Sequence, residues 1–338
     1  MKVDNNTQTA FIASKLLASP SPFQNRTQAT DTGSSRSDMV TLSKRAREAL
    51  EEIRRLAAEE MAAKHGQTPG SDAAVVSLRL NTAGRARVDG IATGGAKVDL
   101  YDSDADPRGP DQSRMVALRV YTGDGEDKVS ISANSHHAAY VDVHVYTGAG
   151  DDSIELTGKM NAGVDAGDGD DVIRRQQGGL DGLLGGAGDD AFELKNASGA
   201  ISGDAGDDRI NLSWDESAKT ARRGFARDFR EIGDARTWIT DFVAKENVAE
   251  VAFGRGGGHD VVTTTTAPEA GALGAADIWM QDLSASEVEA KRDGKDLVLR
   301  VKDTGDSLTL RDYDPDAWKL IRFLEGEKNL ADFVKDAQ

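Results

Sequence analysis

A glycine- and aspartate-rich octapeptide recurs five times between residues 122 and 210, and it constrains the fold more than any other feature of the sequence. The copies read TGDGEDKV, TGAGDDSI, AGDGDDVI, GGAGDDAF and GDAGDDRI, and they begin at residues 122, 147, 166, 185 and 203. Successive copies are separated by 25, 19, 19 and 18 residues. A nearly constant period of this length is typical of a solenoid in which each repeat forms one coil.

The residues between the copies predict what each coil contains. Each copy is a turn followed by a short strand such as FEL or INL, and then come a second turn and a second short strand. Before the repeats, AVVSLRL and MVALRVY alternate apolar and polar residues, which is typical of strands. Aromatic residues make up only 5% of the chain, so the core is expected to consist of small aliphatic side chains. The pattern therefore predicts a mainly β fold, a parallel β-roll or β-helix solenoid.

The rest of the 338-residue chain divides around this solenoid. A segment rich in Ser, Thr, Asn and Gln is expected to be disordered, and an amphipathic helix follows it, with Leu50, Ile53 and Met61 on its apolar face. A partly helical insertion with a basic cluster interrupts the period, and a C-terminal β block contains a degenerate copy, RGGGHDVV, and a short final helix. The predicted boundaries are 1–42 for the tail, 43–66 for the helix, 71–212 for the β-roll, 213–250 for the insertion and 251–338 for the C-terminal block.

Charge and composition exclude several classes of function. The chain has a net charge of −17, and residues 121–212 alone carry 18 acidic and 6 basic side chains, so this region is expected to repel nucleic acid. The chain has no cysteine, which excludes disulfides and thiolate metal sites. Its apolar runs are too short to span a bilayer, so no transmembrane segment is expected.

The repeat residues indicate metal chemistry. Glycine at the second and fourth places permits positive φ and leaves carbonyl oxygens unhindered, and aspartate stands at the sixth place, just before the strand. Turns stacked about 4.8 Å apart would bring these carboxylates together. Two such charges repel by about 3–4 kcal/mol at an effective dielectric constant of 20. A hard cation between them reverses this repulsion, and Ca²⁺, which accepts six to eight oxygens in flexible geometry, suits the turns better than Mg²⁺.

These repeats resemble the G-G-x-G-x-D-x-U-x nonapeptide of the RTX family, the haemolysin-type calcium-binding proteins. The segment FGRGGGHDVV and the strands after it are similar to the haemolysin-type block that follows such repeats in many secreted members. By this resemblance, the Ca²⁺ ligands would be the sixth-place carboxylates of Asp127, Asp152, Asp171, Asp190, Asp208 and Asp260. The carbonyls would come from Gly123, Gly125, Gly148, Gly150, Gly167, Gly169, Gly186, Gly188 and Gly206.

The resemblance also implies a biological setting. Family members leave the cell by type I secretion, read from a C-terminal signal, and fold outside it when calcium binds. The resemblance therefore implies a secreted, extracellular protein whose partners are calcium ions and the type I secretion machinery. Because no catalytic motif is found, we expect this protein to be non-enzymatic. The Ser/Thr/Asn-rich N-terminus would also suit a type III substrate, so the export route stays open.

Departures from the pattern and one alternative function stay open as well. The turns on the opposite side of the coils lack the aspartate, so we expect calcium on one side only. Asp204 replaces a second-place glycine, and the insertion is expected to leave Asp260 without an in-register neighbour. We find no G-x-S-x-G, H-E-x-x-H or Walker motif. The alternative is an RTX-associated lyase or epimerase acting on extracellular polysaccharide, which a row of basic and aromatic residues on the strands would favour.

Overall fold

A computed structural model describes residues 73–82, 85–102, 114–134, 139–158, 160–177, 180–215, 248–266 and 275–336. All of these residues belong to one compact unit of the chain. They are mainly β, which confirms the predicted class. The predicted tail 1–42, the amphipathic helix 43–66 and most of the insertion 213–250 lie outside the described residues.

Short strands account for most of the described chain. The first eleven are β1 (Val75–Asn81), β2 (Arg87–Ala92), β3 (Lys97–Asp102), β4 (Arg114–Asp124), β5 (Lys128–Asn134), β6 (Ala139–Ala149), β7 (Ser153–Gly158), β8 (Asn161–Asp168), β9 (Val172–Gln176), β10 (Leu180–Ala187) and β11 (Ala191–Lys195). The remaining strands are β12 (Ser198–Ala205), β13 (Arg209–Trp214), β14 (Val248–Phe253), β15 (His259–Thr266), β16 (Ala275–Met280), β17 (Val288–Asp293), β18 (Asp296–Val301), β19 (Ser307–Arg311), β20 (Trp318–Phe323) and β21 (Gly326–Asn329). A 3₁₀ helix spans Ala285–Glu287, and helix α1 spans Leu330–Asp336, where the sequence predicts a short final helix.

The strands form two sheets, and between β4 and β16 successive strands alternate between them. The eleven-stranded sheet has the order β17-β18-β19-β15-β13-β11-β9-β7-β5-β1-β2. The ten-stranded sheet has the order β21-β20-β16-β14-β12-β10-β8-β6-β4-β3. The central strands of both sheets are parallel, whereas β2, β3, β18 and β21 pair antiparallel with their neighbours near the ends. The C-terminal strands therefore extend the same two sheets as the repeats.

One hydrophobic core contains side chains from both sheets, because apolar residues at every second strand position are buried. The eighth residue of each repeat supplies one column of this core. Val129, Ile154, Ile173, Phe192 and Ile210 lie side by side on β5, β7, β9, β11 and β13, and all five are buried. The apolar residue that ends each octapeptide therefore holds successive repeats in register.

Two sets of turns connect the sheets. The repeat turns lead from a strand of the ten-stranded sheet into the eleven-stranded sheet, and we call this side of the molecule the first edge. The turns that lead back form the second edge. The predicted insertion is shorter than expected at both ends, because residues 213–214 complete β13 and residues 248–250 begin β14. Within the described residues, no helix has the length and apolar character needed to span a bilayer.

Candidate metal centre

Glycines shape the first-edge turns, and all nine predicted glycines adopt positive φ, between 98° and 158°. In seven of them, all but Gly123 and Gly125 of the first turn, stacking on the preceding turn leaves no room for a side chain. A Cβ atom built on Gly188 would collide with the carbonyl oxygen of Gly169 in the preceding turn, and Gly167 has the same relation to Gly148. The carbonyl oxygens of Gly148 and Gly169 therefore lie against the backbone of the next turn. Glycine is required here both by backbone conformation and by the close approach of neighbouring turns.

Asp204 keeps this geometry although it replaces a glycine. Its φ is 75°, in the left-handed region that aspartate tolerates better than most residues. The hydroxyl of Ser202 donates a hydrogen bond to Asp204 Oδ1 at 2.6 Å. The fifth turn therefore keeps the positive φ of the others at this place.

The sixth-place aspartates form a continuous ladder along the first edge. In each step, the backbone N–H of one aspartate donates to Oδ1 of the aspartate in the following turn. The N–H groups of Asp127, Asp152, Asp171 and Asp190 bind the carboxylates of Asp152, Asp171, Asp190 and Asp208 at 2.7–2.8 Å. At the N-terminal end, the N–H of Ala74 binds Asp127 Oδ1 at 2.6 Å. The structure therefore places these predicted residues in one column.

Asp260 extends this ladder, so the expectation that it has no in-register neighbour is wrong. The N–H of Asp208 donates to Asp260 Oδ1 at 3.0 Å, although 52 residues separate the two in sequence. Strands β13 and β15 pair in parallel, with Arg209 beside Val261. Strand β14, which precedes β15, also pairs in parallel with β12 of the other sheet, so both sheets continue in register up to Asp260.

The ladder carboxylates are buried and only half satisfied. All six sixth-place aspartates are at most 2% exposed. The second carboxylate oxygen, Oδ2, receives no hydrogen bond from the described residues in five of them, namely Asp127, Asp152, Asp171, Asp190 and Asp208. A buried carboxylate oxygen without a donor costs free energy unless it is protonated or a cation binds it.

Burial dominates the electrostatics of the column, and neighbouring carboxylates add to it. Desolvation raises the pKa of Asp171 to about 7 and that of Asp190 to about 8, against the ordinary value of 3.8. The same cause raises the pKa of Asp152 and of Asp208 to about 6, and that of Asp260 to about 9. These shifts show that negative charge in this column is unfavourable without a counter-charge.

A second acidic ladder runs beside the first, and our sequence reasoning missed it. It consists of the fifth-place aspartates Asp151, Asp170, Asp189 and Asp207, which are exposed. Here the direction is reversed, because the N–H of each residue donates to Oδ1 of the preceding turn at 2.8–2.9 Å. The last donor is the N–H of His259, which binds Asp207. The doubled aspartate in four of the repeats was the available signal.

The two columns limit what kind of ion could bind. The described residues contain no group of three or more His, Asp or Glu side chains arranged to hold a metal ion. An ion at the first edge would therefore combine carboxylate oxygens from two turns with backbone carbonyls. This all-oxygen donor set suits a hard cation of flexible coordination. The unsatisfied Oδ2 atoms fit such an ion better than they fit a neutral ligand.

The chain was compared with models of known protein families and with curated proteins. Neither models of known protein families nor curated proteins give a match to this chain.

Proposed function

We propose that this chain is an exported, non-enzymatic calcium-binding protein of the RTX type. In this proposal the two sheets form a parallel β-roll, and calcium ions bind between consecutive turns of the first edge. The observation that carries the proposal is the column of buried carboxylates whose Oδ2 atoms have no donor among the described residues. The proposed ligands are the sixth-place aspartates and the glycine carbonyls of adjacent turns.

The column offers more than one place for an ion. Its six aspartates are joined by five hydrogen bonds, so there are five gaps between consecutive carboxylates. An ion in a gap neutralises carboxylates from two turns at once. Each ion therefore strengthens the contact between neighbouring coils, and binding contributes to folding free energy. Free calcium is low inside the cell, so the chain would stay unfolded during export. It would then fold outside the cell, where calcium is available.

Calcium titration of the full chain tests the proposal. Isothermal titration calorimetry and native mass spectrometry should show more than one Ca²⁺ per chain. Mg²⁺ at the same concentration should bind much more weakly, because its small octahedron does not suit these turns. If no calcium binds at about 1 mM, the affinity range of weak extracellular sites, the proposal is wrong.

One structural feature bears on the polysaccharide-enzyme alternative. Tyr121 and Tyr146 stack on neighbouring strands with ring centroids 5.0 Å apart, and Lys97 Nζ lies 5.7 Å from the Tyr121 centroid. Strands β3 and β6 flank β4, so Lys97 and Tyr146 lie on opposite sides of Tyr121. Both faces of the Tyr121 ring are therefore in contact with protein, and a sugar would have to displace one of them to stack there.

A further inference from the structure

One buried arginine occupies a position where the adjacent strands have leucine. Arg175 on β9 is fully buried, and its register neighbours are Leu156 on β7 and Leu194 on β11. Arg174, the preceding residue, points to solvent and pairs with Glu193 at 3.1 Å. A guanidinium inside an apolar column is costly unless its charge and its donors are fully paired. The contacts of Arg175 show what it is paired with.

The guanidinium lies in a cage of oxygen atoms at the second edge. Two nitrogens donate to four backbone carbonyls of the second-edge turns and their flanking strands, and a third faces a carboxylate. The acceptors are the carbonyl oxygens of Gln176 and Met160 at 2.8 Å, of Gly158 at 3.1 Å and of Leu156 at 3.4 Å, together with Asp181 Oδ1 at 3.4 Å.

The carboxylate in this cage, Asp181, is also buried at a position where the adjacent strands have small residues without charge. The register neighbours of Asp181 are Ala162 on β8 and Gly199 on β12, and the Asp181 side chain is 1% exposed. The N–H of Ala162 also donates to Asp181 Oδ1, at 3.2 Å. Arg175 and Asp181 therefore form one buried unit that joins adjacent strands of both sheets.

Several carbonyl oxygens and one carboxylate are also the kind of ligands that bind a hard metal cation. The second-edge turns lack the repeated aspartate of the first edge. We propose that Arg175 is a built-in cation that replaces a bound ion at the second edge and holds its turns together without metal. This inference stands on the described contacts and does not require calcium at the first edge.

Chemical rescue tests this role. Arg175→Ala should lower the midpoint of thermal unfolding by about 10 °C, the range expected when a buried pair in a domain of this size is broken. Guanidinium at low millimolar concentration should restore a measurable part of this loss. The same concentration should leave the wild-type chain and Arg174→Ala unchanged. Failure of guanidinium to raise the midpoint of a folded Arg175→Ala chain would overturn the proposal.

A second set of variants separates charge from packing and does not depend on Arg175→Ala folding. The double variant Arg175→Met/Asp181→Ala restores the apolar character of the neighbouring strands and leaves no buried charge. If the pair only fills space, this variant should be as stable as wild type or more stable. We expect its midpoint to fall, because the carbonyls of Gly158, Met160 and Gln176 lose their donor. A midpoint at or above the wild-type value would contradict the proposal.

Calorimetry on the wild-type chain and on a further variant, Arg175→Lys, keeps the two proposals distinguishable. The number of calcium ions bound per folded chain should be the same for wild type and Arg175→Lys, because the cage belongs to the second edge. If wild type binds no calcium, the proposed function fails, while the rescue result still decides the role of Arg175.

Discussion

At the scale of single residues, the two adjacent aspartates of a repeat have different environments. Asp190 is fully buried in the sixth-place column, whereas Asp189 is exposed in the fifth-place ladder. Both carboxylates accept one backbone N–H across turns, from Asp171 and from Asp207 respectively. Replacing each aspartate by asparagine keeps that acceptor and removes the charge, so the pair isolates the role of buried charge.

We predict that Asp190→Asn has opposite effects with and without calcium. With calcium, the affinity should fall by roughly tenfold or more, equivalent to about 1.4 kcal/mol, because two gaps lose a charged ligand. In chelator at pH 8, the variant should be at least as stable as wild type, because a buried charge is gone. Asp189→Asn is the matched control and should change both quantities little. Calorimetry and urea unfolding measure the two effects, and a stability loss in chelator would contradict this account.

The position of Asp260 refines the same prediction. Asp260 has a column neighbour in Asp208, but Leu308 occupies its register position on the next strand, β19. It therefore ends the column, whereas Asp190 has carboxylates on both sides. Asp260→Asn should reduce calcium affinity measurably and by less than Asp190→Asn. Equal losses in a calorimetric comparison would show that the ions do not depend on the column.

Glycine stacking gives a second prediction at this scale. Gly188 and Gly326 have nearly the same φ, 134° and 132°, but a Cβ on Gly188 would collide with the preceding turn and one on Gly326 would meet nothing within 4 Å. Alanine should cost about 1–3 kcal/mol of backbone strain at both sites. Gly188→Ala should lose a further 1–3 kcal/mol, roughly the cost of overpacking. Urea unfolding of both variants measures the difference, and equal losses would mean that the turns are not closely stacked.

At the scale of elements, burial raises the pKa of five aspartates in the sixth-place column, and these raised pKa values make the stability of the folded chain depend on pH. The folded chain holds protons that the unfolded chain releases, because burial raises the pKa of Asp171 to about 7 and that of Asp190 to about 8. This contribution to stability is fully present below the ordinary pKa of 3.8 and is lost as the pH rises through the range from about 6 to about 9.

We therefore predict that the calcium-free chain resists urea better at pH 5 than at pH 9. The order should reverse in saturating calcium, because protons and calcium compete for the same carboxylates. Asp190→Asn should weaken the pH dependence in chelator, since one titrating group is removed. Urea unfolding midpoints at the two pH values check this, and a chelated chain more stable at pH 9 would contradict it.

The strands, the turns and the sixth-place column could be predicted from the sequence because each depends on a local residue pattern. The octapeptide predicts each turn and the strand that follows it. Its apolar eighth residue predicts the strand register, in which Ile173 lies beside Phe192. Long-range features were not accessible. The pairing of Asp208 with Asp260 depends on how the chain returns after β13, and no local pattern shows that Arg175 reaches the second-edge carbonyls. Alternation would place an apolar residue there.

At the scale of the whole molecule, the parallel strands and the first-edge column make stability depend on contacts between neighbouring turns. Each pair of strands buries few large side chains, and the described core is mostly valine, isoleucine, leucine and alanine. Without a cation, the column adds repulsion and desolvation to every contact between turns. Contacts between turns are therefore expected to be weakest when these carboxylates are charged and no cation is bound.

We predict that folding of residues 121–212 depends on calcium. In chelator at neutral pH this region should be loosely packed and should unfold at low urea concentration, and it should become fully β-rich above roughly 0.1–1 mM calcium, the range of weak extracellular sites. Mg²⁺ at the same concentration should not substitute. Far-ultraviolet circular dichroism with and without chelator measures the change, and hydrogen exchange locates it. The Asp189→Asn chain serves as the control, because it should fold at nearly the wild-type calcium concentration, whereas Asp190→Asn should need more. A β-rich spectrum that is unchanged in chelator would refute calcium-driven folding and leave calcium binding to the completed column as a separate question.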